Sequence, residues 1–574
     1  MIPSLETLRE VGTLGPLDAH FARTVCRLAG DDDSDIVLAA ALASRAPAHG
    51  HVCADLRRLV LTPPADGEGA PIEGAQWPEI EDWLDRLARS PLVAGPLRLD
   101  GEGNLYLRRY WSYQADLLEA LTTRATEEIP VAHQERLSER LDLLFDGGLQ
   151  RRAAELAVRR RLCVISGGPG TGKTHTVARI VALLQNQADG HIRVVLVAPT
   201  GKAAARLQES LREATEKLPE ELGAGLQLRA TTIHRRLGWR PDAPTRFRHD
   251  RDRPLPADVV ICDEASMVDL PLMAKLIDAV PPTARLILLG DRDQLASVEA
   301  GAVLGDICHG EGDPPISKCL VNLSKSWRFA EAPGIGALAL AINAGDAADA
   351  LAILASQESP EVSRIDAPED ARPDDLVGQA VLDGYRDYTR TTDPRTALAA
   401  LNRFRVLCAH RRGRFGVEAL NRLIRARLVG AGLLSPRGEW YAGRPVIVTR
   451  NDYQIELFNG DVGVTLRDPQ GRLRVHFEGL DGTPRSFHPA RLPPCETVFA
   501  MTVHKSQGSE FDEVILMLPT RGSRILTREL VYTGVTRAKS KVTVVSAETV
   551  LSDAIGARIQ RASGLRKALW GSTP

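Results

Sequence analysis

The sequence predicts an α/β protein: two series of parallel strands and helices, a small antiparallel β-barrel set into the second series, and a mainly helical N-terminal region. Three observations predict it. Apolar runs of strand length alternate with helical patterns in two separate stretches. A glycine-rich loop follows the first strand of the first series and opens a helix. Between 440 and 495 the pattern changes to alternating apolar and polar residues, with turns at "NGD" and "PQG".

The chain has 574 residues, enough for three to four domains at ~150 residues each. It is 44% hydrophobic and 25% charged, ordinary values for a soluble globular protein. No apolar run approaches the length of a membrane span, and the N-terminus lacks a basic-then-apolar leader. A cytoplasmic protein with no membrane partner is the expectation. The eight cysteines form no C-x-x-C pair, and several lie in apolar runs. They read as buried thiols rather than disulfides or zinc ligands. The net charge of −2 is unevenly spread: residues 1–146 sum to −11 and the remainder to +9. The later part is the better polyanion partner, and the first part suits a protein-facing or solvated surface.

Residues 1–110 read as short helices such as "SDIVLAAALASRA", with a Gly/Pro-rich loop at "TPPADGEGAPIEGAQWPE". A helical stretch at about 115–160 leads into the first series, "RLCVISGG", "RVVLVAPT", "DVVICDE" and "RLILLGD". The second series is "FRVLCAH", a helix at "GVEALNRLIRARL", then "VFAMTVHKSQG", "EVILMLP" and "KVTVVSA".

The chemistry starts at "VISGGPGTGKTHT". Gly167, Gly168, Pro169, Gly170, Thr171 and Gly172 form a loop whose backbone N–H groups can face phosphate oxygens at a helix N-terminus. Lys173 neutralises phosphate charge there, and the Thr174 hydroxyl suits Mg²⁺. After the strand "DVVIC", Asp263 is the candidate metal ligand and Glu264 the group that polarises water; a helix cap is the plain alternative. Gln294 is placed to sense a terminal phosphate and Asp291 to order its loop. Gln150, one helix before the phosphate loop, can read an adenine edge with its amide. ATP with Mg²⁺ is the implied ligand. Far downstream, "TVHKSQGSEF" crowds polar groups beside an apolar strand, which is costly unless something binds there.

In order, "GGPGTGKT", "APTGKAAARL", "TTIHRRLGW", "ICDEAS", "GDRDQLASV", "SKSWRF", "TVHKSQGSEF" and "YTGVTRAK" resemble the superfamily 1 DNA helicases over most of the chain. Within them the sequence is most similar to the RecD family, the 5′→3′ motor subunits of bacterial RecBCD helicase–nucleases (exodeoxyribonuclease V alpha chains). "AAALASRAPAHGHVCADL", "NLYLRRYW" and "NDYQIELFNGDVG" also look like that family.

The resemblance implies a mainly helical partner-docking domain at 1–115. It implies a first RecA-like P-loop motor domain at 116–330, a second at 331–574, and an SH3-like barrel inserted at 440–497. A β-hairpin pin would lie near 236–256, where "RPDAPTRFRHDRDRP" carries five arginines; a solvated charged loop is the other reading. Arg328 and Arg537 correspond to the family's arginine fingers, which stabilise transition-state charge from across a cleft. The tryptophan before Arg328 departs from the family pattern. Pro199, Thr200, Gly201, Lys202, Thr232 and His234 of the first motor domain, and Thr502 and His504 of the second, correspond to backbone contacts on single-stranded DNA. Gln507, Gly508 and Glu510 would lie nearer the nucleotide.

The expected function is a DNA-dependent ATPase and 5′→3′ DNA helicase in a RecBCD-like heterotrimer with RecB-like and RecC-like subunits. It would process duplex DNA ends for recombinational repair. No nuclease-type carboxylate cluster is visible, so the exonuclease site is expected on a partner chain. A stand-alone helicase of the same superfamily, a structural subunit with a dead motor, and a P-loop kinase or GTPase are the competing readings. Intact Lys173, Asp263, Glu264 and Arg537 argue against the dead motor, and a second α/β series argues against the kinase or GTPase.

Overall fold

The computed structural model describes residues 4–62, 77–188, 190–223, 226, 228–240, 242–243, 245–479 and 482–571. Most of the Gly/Pro-rich loop read at 62–79 lies outside them, as do positions 241 and 244 of the arginine-rich stretch.

The first series folds into a six-stranded sheet in which every pairing is parallel. Its order is Ala230–Thr232, Val194–Ala198, Val259–Cys262, Arg285–Gly290, Leu162–Gly167 and Leu320–Leu323. Helices cover both faces, so the central strands are apolar throughout. Alternation still shows in where their residues go. Leu162, Val164, Val260 and Leu286 enter one core cluster, and Cys163, Ile165, Ile261 and Ile287 enter the other.

The second series gives a five-stranded parallel sheet. Its order is Val362–Ile365, Ala538–Val545, Phe511–Met517, Phe404–Cys408 and Ala500–Thr502. Between its strands is an antiparallel sheet of Pro484–Phe487, Leu473–Glu478, Val462–Arg467, Pro445–Val448 and Cys495–Thr497, with Val446, Val448, Val475 and Phe477 inside. Its turn at "DPQG" is fixed by Asp468, whose carboxylate accepts from the Gln470 and Arg472 N–H groups.

Two features depart from the sequence reading. The N-terminal region is not only helical: Ala54–Asp55, Asn104–Leu107 and Leu97–Leu99 form a small antiparallel sheet. The chain also crosses back after its last strand. The segment 557–564 leads to a short helix, Leu565–Trp570, and Leu565 and Leu569 pack into the core of the first α/β unit. The Arg561 guanidinium donates to the carbonyls of Gly50, Ser297 and Glu299 at 2.6–2.8 Å. The Ala562 carbonyl accepts from Val52 N at 2.8 Å. Among the described residues no helix is long and apolar enough to cross a membrane.

Candidate functional site

The strand Leu162–Gly167 ends in the glycine loop, and the helix Lys173–Gln187 begins at its far side. Gly170 and Gly172 adopt left-handed φ of +74° and +80°. A Cβ at Gly170 would stand 2.3 Å from Arg328 Cβ, so only glycine lets the 326–328 segment lie on the loop. Trp327 N donates to Gly170 O at 2.9 Å and Ser326 Oγ to Pro169 O at 2.8 Å. Gln150 Nε2 donates to Thr171 O at 3.0 Å. Lys173 Nζ donates to the carbonyls of Gly167 and Gly168 at 2.5 and 3.0 Å.

Asp263 and Glu264 follow the buried strand Val259–Cys262. Glu264 holds φ of 51°, a conformation that costs a non-glycine residue about 1–3 kcal/mol and that recurs at functional sites. Burial, reinforced by the neighbouring Glu264 charge, raises the Asp263 carboxyl pKa; Lys173 and Arg206 oppose this. Asp291, at the end of the next strand, is also raised by burial. It accepts from Gln294 Nε2 at 3.1 Å and from the Tyr532 hydroxyl at 3.0 Å.

Tyr532 belongs to the second α/β unit, and other groups cross the same cleft. Thr533 Oγ1 accepts from Leu295 N at 2.9 Å, and Gln507 Nε2 donates to Leu295 O at 2.6 Å. The Glu510 carboxylate pairs with both Arg206 and Arg328. Arg537 is buried, donating to the carbonyls of Thr533 and Ser509 at 3.1 and 3.2 Å.

Between the two units lies a cavity of about 750 Å³. Lys173, Glu264, Arg537, Arg328 and Gln294 line it, with Gln150, Pro169, Gly170, Thr171, Gly172, Thr174, Asp263 and Glu510. Gly167 and Gly168 lie behind the loop as carbonyl partners of Lys173. Gln507 and Gly508 do not line it either. The amide of Gln507 is turned to Leu295, and Gly508 abuts Ala203. Three residues whose side chains bond across the cleft were not singled out from the sequence: Arg206, Tyr532 and Thr533. All three sit inside the stretches "APTGKAAARL" and "YTGVTRAK" quoted above.

None of the eight DNA candidates lines the cavity. They stand at or just beyond the C-terminal ends of three strands at one side of each sheet: the edge strands Ala230–Thr232 and Ala500–Thr502, and Val194–Ala198 next to the first of these. Pro199, Thr200, Gly201 and Lys202 follow Val194–Ala198. Thr232 ends Ala230–Thr232, with His234 in the next turn, and Thr502 ends Ala500–Thr502, with His504 following. Each threonine hydroxyl accepts a local N–H: Thr200 from Ala203, Thr232 from Arg235, Thr502 from Lys505. Desolvation brings the Lys202 ammonium down to about 8, with Arg405 and Arg206 adding to the effect. It lowers His234 as well. Burial takes the His504 imidazole to about 4, helped by Arg561.

The inserted sheet also reaches this edge. Its loop lays Tyr453 on Trp239, ring centroids 5.3 Å apart and nearly parallel. Glu456 pairs with Arg235 at 3.3 Å. A Cβ at Gly201 would stand 3.3 Å from the Phe458 ring. Among the described residues of the expected pin at 236–256 there is one isolated antiparallel bridge, between Trp239 and Phe247, and no pair of hairpin strands.

Two parallel-sheet units that share one phosphate-loop cavity, with carboxylates from the first and a buried arginine from the second, define the class: a P-loop protein with a divided site. Family models match three parts of the chain. These are "RecBCD enzyme subunit RecD, N-terminal domain" at 10–106, an AAA domain at 150–300, and a "UvrD-like helicase C-terminal domain" at 497–545. The chain is 45% identical to the RecBCD enzyme subunit RecD of Mycolicibacterium smegmatis, over 98% of this chain and 99% of that one. It is 33% identical to the Haemophilus influenzae protein of the same name, over 99% of each. The ATP-dependent RecD2 DNA helicase of Deinococcus radiodurans is 31% identical over 80% of this chain but only 58% of its own length. The chain belongs to the RecD family of RecBCD enzyme subunits.

Proposed function

We propose that this protein is an ATP-dependent 5′→3′ DNA helicase that moves on single-stranded DNA as the motor subunit of a RecBCD-like complex. Its partners would be RecB-like and RecC-like chains, its substrate duplex DNA ends, and its compartment the cytoplasm. Family membership supports the helicase activity. The observation that carries the mechanism is the cavity divided between two α/β units. We read those units as RecA-like motor domains at 116–330 and 331–574, the inserted sheet at 440–497 as SH3-like, and 1–115 as the docking domain. The pin role of 236–256 belongs to the same reading.

The residues fit ATP and Mg²⁺. The glycine loop and Lys173 meet the phosphates, and the half-buried Asp263 carboxylate and the Thr174 hydroxyl are hard oxygen donors suited to holding Mg²⁺. The cation would neutralise phosphate charge. Glu264 orients and polarises the attacking water, while Arg328 and Arg537 stabilise charge on the terminal phosphate. Because these groups come from both sides of the cleft, hydrolysis depends on its closure. Closure also moves the two groups of DNA candidates relative to one another, which is how a strand can be ratcheted. Contacts of this kind are to phosphate and sugar, so binding should be strongly salt-dependent and tolerant of sequence. The nuclease step is assigned to a partner chain.

Lys173→Ala tests the assignment. It should abolish DNA-stimulated ATP hydrolysis by the purified chain and unwinding of 5′-tailed duplexes by this subunit in its complex. Normal hydrolysis by the variant would sink the proposal.

A further inference from the structure

The helix Gly201–Glu216 presents Ala203, Arg206, Leu207 and Ser210 to the cavity, the i, i+3, i+4, i+7 spacing of one helix face. Its N-terminus carries Thr200, Gly201 and Lys202. Of these four Arg206 is the cation, and its guanidinium crosses the cleft to Glu510. The same carboxylate takes Arg328. Glu510 and Arg328 are only 12% and 17% exposed at their side chains, so water screens their pairing weakly, and less so that of Arg206, which is 36% exposed. The Arg328 Nη1 atom is buried with no hydrogen-bond partner. One carboxylate therefore serves two guanidiniums and faces the charge of a third, Arg537, and it is held ionised, at about 2.

A terminal phosphate offers the same donors more acceptor oxygens and more charge. Glu510 and that phosphate are thus alternative acceptors for one set of arginines. We propose that Arg206 binds the terminal phosphate of the nucleotide, and that Glu510 competes with that phosphate for Arg206 and Arg328. Exchange of one acceptor for the other converts nucleotide docking into a pull on the Gly201–Glu216 helix. That helix begins at the candidate DNA contacts, so the exchange links the two ligands. The proposal rests on the function put forward above.

The test is steady-state ATP hydrolysis by the full-length chain, with and without a single-stranded oligonucleotide, for Arg206→Ala, Arg206→Lys and Glu510→Gln. Arg206→Ala should raise KM for ATP about tenfold or more, the loss expected for a charged hydrogen bond. Arg206→Lys should recover part of it. Glu510→Gln should shift KM downward and raise hydrolysis without DNA, because the arginines are no longer held. Glu510→Asp, which keeps the charge and shortens the reach, should shift KM in the same direction and replaces Glu510→Gln if that variant melts early. A bridge that merely holds the units together predicts the same sign for Arg206→Ala and Glu510→Gln. Equal signs, or no change in KM for either, overturn the proposal. Failure of the functional assignment looks different: the parental chain would then show no DNA-stimulated hydrolysis at all.

Discussion

Tyr532 reaches from the second α/β unit to the Asp291 carboxylate of the first, its hydroxyl donating at 3.0 Å. Both groups are buried, and burial raises the Asp291 pKa, so the donor helps to offset the cost of the buried charge. Tyr532→Phe keeps the ring and removes the donor. It should lower stability by about 1–3 kcal/mol and weaken DNA stimulation of the ATPase. Urea unfolding and ATPase titration with oligonucleotide read the two effects. A parental midpoint together with parental stimulation would show that the contact carries neither.

Arg537 donates to two carbonyls, has no carboxylate bonded to it among the described residues, and faces the charges of Glu264 and Glu510. Arg537→Ala should bind ATP but hydrolyse it slower by on the order of 10³. Binding of a fluorescent ATP analogue and single-turnover hydrolysis separate the two steps. An unchanged turnover would remove Arg537 from the chemistry.

Lys202 is half-buried at a helix N-terminus, with its pKa brought down to about 8. If it holds a phosphate of single-stranded DNA, Lys202→Gln should reduce the slope of log affinity against log salt by about 0.7. Oligonucleotide binding at several salt concentrations measures this. A variant that weakens binding with the parental slope would place Lys202 away from phosphate.

His51 Nδ1 accepts from Ala562 N at 3.0 Å, which requires the neutral ring. Burial, and then Arg561, lowers its folded pKa to about 4, against an ordinary value of 6.5. The unfolded chain therefore takes up the proton first, and stability should fall as pH drops from 6.5 toward 4. His504 acts in the same direction over the same window. His51→Asn supplies an oxygen acceptor that does not titrate, so its unfolding midpoint should vary less with pH. An equally steep profile in the variant would assign the effect elsewhere.

How much was legible follows from how each feature is encoded. Parallel strands covered on both faces must be apolar throughout, so "RLCVISG" and "EVILMLP" could be read directly. Phosphate binding demands glycines at defined positions, so the loop before Lys173 announced itself. Arg206 did not, because what marks it is Glu510, some 300 residues away in sequence. Tyr532 and Thr533 escaped for the same reason: a contact across a cleft leaves no local period. The small N-terminal sheet has strands of two to four residues, too short to show alternation. The returning helix Leu565–Trp570 shows only two buried residues, and nothing in "LRKALW" says which core they enter.

That return has a mechanical consequence. The polypeptide leaves the first α/β unit near Arg328, builds the second, and comes back to the first through residues 557–564. The two units are therefore joined by two tethers, and the second is anchored at Arg561 and by the Leu565–Trp570 helix. Eight residues drawn fully straight reach at most ~26–29 Å, and part of that span is already fixed to Gly50, Ser297 and Glu299. The tail therefore ties the far side of the second unit back to the first, and while its contacts hold, the distance between the two anchor points is bounded by this short span.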